Sequence, residues 1–465
     1  MFRRNIILIA IIFIALNALL MFLAVPDGHF QADSAEYIQP ARQLVDALRT
    51  ADLSTANPIQ IPRRQPGYVF LVAGAYAITT NHFDLVVVFF QISALFLTGL
   101  IAFKIVEARQ PGWGWLVLSL VIFNPNAIGI AHLIMPMTIF ALFLSGSIWI
   151  ALEYANKPIL KHACLSGLCL GLAYLFRSEA KYLGYLLPIG LPLLAALSAN
   201  RGTWLRHLIA GGTALLFVLA PDLAWKAVSP TFTTHTQAAD GSAAANFVIG
   251  NLGFLELRID PTLSFLERRA RVLDRAREVI ARQHDIPISE VSYAEAHRQD
   301  VWFYFGLFPQ YPYSVLIAAF AESPVKLFAS GGAQNLHELI GSDIKSSHQI
   351  FVEGIHSSRF SAWIESLRTA SPAAFLLTFA AVGYAVVARI LGLVGVVTMM
   401  AQRHWPLLFL IGSILLYWTA ILLTNGMSRY RVPLEPWLMI LAAYGIASLW
   451  ERWKARRIFL RQTAA

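Results

Sequence analysis

The sequence predicts an all-α polytopic membrane protein, and three observations carry that expectation. Of 465 residues, 57% are hydrophobic and only 14% are charged, against roughly 25% charged in a soluble chain. Apolar runs recur from Ile6 to Trp450, many of them close to the roughly 20 residues that cross a bilayer as a helix. The alternating segments of about 10 residues that mark an outer-membrane barrel are missing, and helices are then the remaining way to satisfy the backbone in lipid. This distribution argues against a soluble enzyme and against a soluble domain on one anchor.

The apolar segments fall near 6–25, 67–80, 84–103, 113–130, 136–154, 163–177, 182–198, 204–225, 374–400, 405–424 and 434–450, a bundle of about 10–11 membrane helices. The first has a basic start and no small-x-small cleavage site before Pro26, so it reads as an uncleaved signal anchor. Segment 67–80 is short of a full span and reads as re-entrant or half-inserted. With that choice the N-terminus, Lys157/Lys161, Arg201/Arg206, Arg403 and the basic C-terminal tail fall on the cytoplasmic side. Residues 27–66, His132 to Pro136, Arg177 to Lys181, 226–372 and Asn425 to Pro433 share the outer face.

The charges follow this arrangement. Residues 27–66 hold four basic and five acidic groups, residues 226–372 hold thirteen and fifteen, and the rest holds nineteen basic against seven acidic. Most of the excess, Arg389 and Arg403 included, flanks apolar segments, which is a positive-inside signature and not a nucleic-acid patch. The expected location is a bacterial-type inner membrane with both termini cytoplasmic. The chain divides into an N-terminal bundle (1–225) with its first outer loop 27–66, a large outer segment (226–372), and C-terminal helices with a basic tail (373–465).

Within the large segment, residues 263–283 place Leu263, Leu266, Ala270, Leu273, Ala276 and Ile280 on one stripe, with Glu267–Arg271 and Glu278–Arg282 spaced as i,i+4 pairs. This predicts an amphipathic helix on the bundle or membrane surface. Residues 302–328 are aromatic and interrupted by Pro309, Pro312 and Pro324, as an interfacial segment would be. Cys164 and Cys169 are five apart in one apolar segment, on different helical faces, and form neither a disulfide framework nor a zinc spacing.

The residues that could carry chemistry lie at the outer ends of the spans. Asp33 stands just after the first span, where a carboxylate can accept a proton from an incoming hydroxyl or hold a metal beside a lipid-borne substrate. With Glu36 it equally has the D-x-x-E spacing of a helix cap. Arg63 and Arg64 precede a Pro-Gly turn and suit a phosphate or lipid headgroup, or simply anchor a helix end. Arg177, Glu179 and Lys181 interrupt an apolar stretch, where ionisable groups are costly and usually functional, or else form a polar turn. His132 is a ligand or a packed histidine. Arg429 and Arg431 flank Tyr430 against the positive-inside bias, which an anionic ligand would explain.

In order along the chain, these pieces resemble the GT-C superfamily of polyprenyl-phosphate-sugar-dependent glycosyltransferases, in the protein mannosyltransferase and aminoarabinose transferase-like branch. The D-x-x-x-Y-x-x-x-A-x-x-L pattern reads Asp33, Tyr37, Ala41 and Leu44. An R-x-P-G-Y entry reads Arg64 to Tyr68, G-L-A-x-L-x-R reads Gly171 to Arg177, and the closing R-Y-R-x-P reads Arg429 to Pro433. The chain departs from the pattern at His132 to Pro136, where many relatives carry an acid, and in having Asp33 without an adjacent acidic partner.

The resemblance implies a GT-C-like fold with an amphipathic helix in the first outer loop, and inverting transfer of a monosaccharide from a polyprenyl-phosphate donor to a glycan, lipid or protein acceptor at the extracytoplasmic face. Asp33 would be the base. Arg63, Arg64, Arg177, Lys181, Arg429 and Arg431 would hold the donor phosphate, and Tyr37, Tyr68 and Tyr430 would line the cavity, with Glu36 and His132 added as cavity candidates by their place in the outer loops and not by the family pattern. No cofactor is required by the residues, and a divalent metal is unsupported by any His/Cys cluster. Membrane lipid is an expected partner and nucleic acid is not. The competing readings are a transporter or flippase for a lipid-linked or anionic solute, and an O-antigen ligase or polymerase using a diphosphate-linked donor. Paired inverted repeats, common in transporters, are not evident.

Overall fold

The computed structural model describes residues 2–50, 65–198, 203–228, 239–329, 331–341, 372–422 and 428–463. Among the described residues there is no strand, and the chain is an all-α polytopic membrane protein. The helices are α1 (Phe2–Leu23), α2 (Ala35–Thr50), α3 (Pro66–Ile78), α4 (Phe83–Glu107), α5 (Gly114–Ile122), α6 (Pro125–Ala131), α7 (Met137–Asn156), α8 (Leu160–Phe176), α9 (Glu179–Gly184), α10 (Leu187–Leu197) and α11 (Trp204–Val228). They continue with α12 (Ala239–Ile259), α13 (Phe265–His284), α14 (Tyr293–His297), α15 (Val301–Phe305), α16 (Tyr313–Ala329), α17 (Ala333–Leu339), α18 (Pro372–Ala401), α19 (Trp405–Leu422) and α20 (Glu435–Thr463).

Every apolar segment read from the sequence is helical. Among the described residues, α1, α4, α7, α11, α18, α19 and α20 are each long and apolar enough to cross a membrane, and α5 with α6 makes one more span bent by 54°. The bend has a local cause. Pro125 at the start of α6 has no N–H to continue the ladder, and the Asn124 side chain accepts from Ala127 N at 3.2 Å to cap the new helix. The 13-residue α3 falls below spanning length, as its short apolar run led us to expect.

Close helix contacts set the levels of the bundle. A Cβ added at Gly171 of α8 would lie 2.8 Å from the carbonyl oxygens of Phe217 and Val218 in α11, so a small residue lets these two backbones approach where lipid supplies no hydrophobic drive. Helices α18 and α20 run side by side in the same direction, with Gly392 beside Leu438 and Leu441 and Gly395 beside Leu441 and Gly445. That register puts Arg389 level with Glu435, 3.0 Å away. Arg389 is therefore not a flanking cation like Arg403; it lies within α18, at the end of the bundle where α20 begins.

Residues of α12–α16 form a second core, with Leu252 and Leu255 facing Val272, Leu273, Ala276 and Ile280, and with Tyr304, Leu307 and Tyr311 closing over them. The amphipathic helix expected at 263–283 is α13, but it docks on α12 by its later turns. Leu266 and Ala270 of the expected stripe are exposed. Of the two i,i+4 pairs, Glu278–Arg282 forms at 3.7 Å. Glu267 accepts from Ser264 N at 2.7 Å in a capping box, and Arg271 turns to Asp260 at 3.0 Å.

Candidate functional site

The segment after α1 is tied down at both edges. Asp27 has a positive φ of 64°, and Val25 N donates to Leu339 O at 3.0 Å. His29 Nδ1 lies 2.7 Å from His132 O, Ile134 N donates to His29 O at 2.9 Å, and Ser34 Oγ donates to Ile134 O at 3.0 Å. Between these anchors, on the 3-10 turn Ala32–Ser34, Asp33 directs its Oδ2 to Arg429 Nη1 at 3.0 Å across 396 residues of chain. The two side chains are 29% and 25% exposed, so the pair is held by protein and still reachable from outside it.

Arg429 opens a second 3-10 turn, Ser428–Leu434, whose Tyr430 is pinned through its carbonyl by Trp418 Nε1 at 2.6 Å. The guanidiniums of Arg429 and Arg177 lie 5.3 and 5.2 Å from the Tyr430 ring centroid, within cation–π range. Arg177 caps the C-terminus of α8, its N–H returning to Ala173 O at 3.0 Å. Its Nε donates to Glu179 Oε1 at 3.1 Å and its Nη1 to Met137 Sδ at 3.0 Å. Burial works against the charge, and the Glu179 carboxylate overrides it, holding the guanidinium above its ordinary pKa.

Tyr37 of α2 and Tyr68 of α3 are both buried and meet edge to face, 4.9 Å between ring centroids. The Tyr68 hydroxyl donates to Gln91 Oε1 at 2.7 Å, and Gln91 Nε2 donates to the carbonyls of Ala131 and Leu133 at 2.9 and 2.7 Å. Gly67 makes the join to α8, since a Cβ there would come 2.6 Å from Leu175 O. The Pro66-Gly67-Tyr68 entry thus packs on the last turn of α8, two positions before Arg177.

The candidate residues therefore divide. Asp33, Arg177, Arg429 and Tyr430 come together, with Tyr37 and Tyr68 packed beneath the same loop. Glu36 is exposed on the first turn of α2. His132 is fully buried, with its Nε2 2.9 Å from Asn17 Oδ1 of α1, so it supports the segment that carries Asp33 and does not line an open surface. Lys181 lies 3.0 Å from Asp222 of α11, which also accepts from the Tyr174 hydroxyl at 2.8 Å. Arg431 is 1% exposed and ion-paired to Glu435, with Nη1 donating to Leu327 O at 2.5 Å. Arg63 and Arg64 lie outside the described residues.

Three polar residues of this region are not among the sequence candidates. Glu435, 1% exposed, collects Arg431, Arg389 and the Asn124 amide at 2.9 Å. Asp222 and Gln91 are likewise buried in apolar helices. The available signal was the isolated polar residue inside an apolar run, which is the costly kind. Comparison with protein-family models and with curated proteins gives no match. Chemically, the cluster sets two ion pairs side by side, Asp33–Arg429 and Glu179–Arg177, and so puts a candidate base next to guanidiniums that match an anionic oxygen.

Proposed function

We propose that this protein is a membrane glycosyltransferase that moves a monosaccharide, with inversion, from a polyprenyl-phosphate donor to a hydroxyl or amine acceptor. The observation that carries the reading is the Asp33–Arg429 ion pair, because it joins the candidate base to a candidate phosphate ligand. Three other stretches that carry the family resemblance connect to the same loops: Tyr37 meets Tyr68, Gly67 abuts Leu175 two positions before Arg177, and Arg177 lies over Tyr430 beside Arg429.

In this reading an arriving donor phosphate draws Arg429 toward its oxygens, and Asp33 gives up its partner. The acceptor oxygen or nitrogen attacks the anomeric carbon as its proton passes to Asp33. The bond from the anomeric carbon to the phosphate oxygen breaks, and the electron pair leaves with the lipid phosphate. Arg429 and Arg177 stabilise the charge that develops there, fixed in place by Tyr430 and Glu179. Arg63 and Arg64 join them through the R-x-P-G-Y resemblance. Lys181 and Arg431, each committed to an acid, act as positioning residues. The positive-inside bias of the chain supports an extracytoplasmic site, and the reading takes the membrane to be a bacterial-type inner membrane.

The test is sugar transfer by the purified protein in detergent, with a polyprenyl-phosphate monosaccharide and its Asp33→Asn variant. Transfer by the native protein and its loss in the variant support the reading, whereas full activity without the carboxylate removes Asp33 as the base.

A further inference from the structure

The end of the bundle away from Asp33 holds a recess open to its surroundings. Helix α4 begins at Phe83, whose ring packs with Phe30 and Tyr76, and its 25 residues carry the chain about 36 Å at 1.5 Å per residue. There the turn after α4, the turn after α18 and the middle of α20 border an open recess of about 370 Å³, lined by Gln110, Pro111, Trp113, Gln402, Ala447, Ser448, Glu451 and Arg452. Its volume lies within the range of small-molecule sites.

The walls are fixed by specific bonds. Glu107 accepts from Gly112 N at 2.9 Å and Gly114 N at 3.0 Å, holding the first turn with Gly112 at φ 88°. Gln110 Nε2 donates to Gln402 Oε1 at 3.1 Å, which ties the two turns together. Gln110 Oε1 is buried and makes no hydrogen bond, a costly condition that a donor from a ligand would relieve.

The level of the cavity is that of lipid headgroups. Trp405, Trp450 and Trp453 are about half exposed at this height, as aromatic residues are at a membrane–water boundary. Beyond them α20 turns polar and basic through Lys454, Arg456, Arg457 and Arg461. The lining carries one anion, Glu451, and one cation, Arg452, and so suits a zwitterion better than a purely anionic group. Arg452 matches a phosphate. Glu451, the unsatisfied Gln110 oxygen and the Trp113 ring suit a primary ammonium, which donates hydrogen bonds and sits well on an indole.

We propose that this cavity binds the headgroup of a phosphoethanolamine lipid, independently of the chemistry at Asp33. The test titrates the detergent-purified protein with phosphatidylethanolamine, phosphatidylcholine and phosphatidylglycerol, reading retained lipid by native mass spectrometry and the melting temperature in parallel. Phosphatidylethanolamine is retained about tenfold over the other two, because one lacks N–H donors and the other lacks the ammonium. Ser448→Trp, which fills the cavity, abolishes that retention. Glu451→Gln and Arg452→Gln, on an exposed helix surface, remove the preference while the protein still melts cooperatively, so the idea does not depend on Ser448→Trp folding. Free glycerophosphoethanolamine at the same concentration produces no melting shift. Equal retention of the three lipids, unchanged selectivity in the Glu451 and Arg452 variants, or an equal shift from the free ester overturns the proposal.

Discussion

Asp33 and Arg429 form an ion pair of 3.0 Å between the first and the last polar turns of the membrane bundle. Substituting Asp33 by Asn keeps the shape and removes the base. We expect transfer to fall by at least about a hundredfold, the scale of general-base catalysis, with the melting temperature nearly unchanged because the pair is partly solvated. Initial-rate measurements beside a thermal melt check this.

Arg177 reaches Glu179, Met137 and the Tyr430 ring with one planar group. Lysine keeps the charge but cannot span three such contacts. Arg177→Lys should raise the KM for the polyprenyl-phosphate donor about tenfold and leave the KM for the acceptor within twofold. An equal change in both constants would speak for a structural defect.

Glu435 is shared by Arg431 and Arg389, so its removal strands one buried and one partly buried cation, whereas removal of either arginine leaves the acid with the other. Glu435→Gln should therefore cost about 3–5 kcal/mol, and more than Arg389→Gln. Melting of the two variants in one detergent gives the order, and the reverse order would contradict the shared-acid arrangement.

Gly67 has no room for a methyl group against Leu175 O. Gly67→Ala should push the start of α3 away from the last turn of α8, costing about 1–3 kcal/mol as overpacking does. Activity should fall with stability, and a bulkier Gly67→Val should be worse than Ala; an Ala variant as active and stable as the native chain would place slack at this contact.

Much of the fold was legible because lipid demands apolar helices and each apolar run is helical, although among the described residues seven are long enough to span, an eighth span is the bent pair α5 and α6, and α3, α8 and α10 are shorter. Asp33, Arg177 and Arg429 were legible as polar groups that broke a simple pattern at span ends. Arg431 was not separable from Arg429 by that logic. The two are neighbours in sequence, but on a 3-10 turn, with three residues per turn, positions two apart point in different directions, one to Asp33 and one into the bundle. Arg389 was misread for a related reason, since its level depends on the register of α18 against α20, which no local pattern encodes. Lys181 likewise finds Asp222 across α11, and the pairing of Arg271 with Asp260 reflects a turn before α13 whose geometry the i,i+4 spacing leaves out.

The 396-residue separation of Asp33 and Arg429 also orders events during synthesis. At roughly 5–20 residues per second, the ribosome makes Arg429 about 20–80 s after Asp33. Through that interval the early helices can insert and pack, but the carboxylate lacks the cation that completes its surroundings. Maturation of the cluster is thus coupled to delivery of the last helix pair, so a chain stopped before residue 429 would reach the membrane as an inert intermediate.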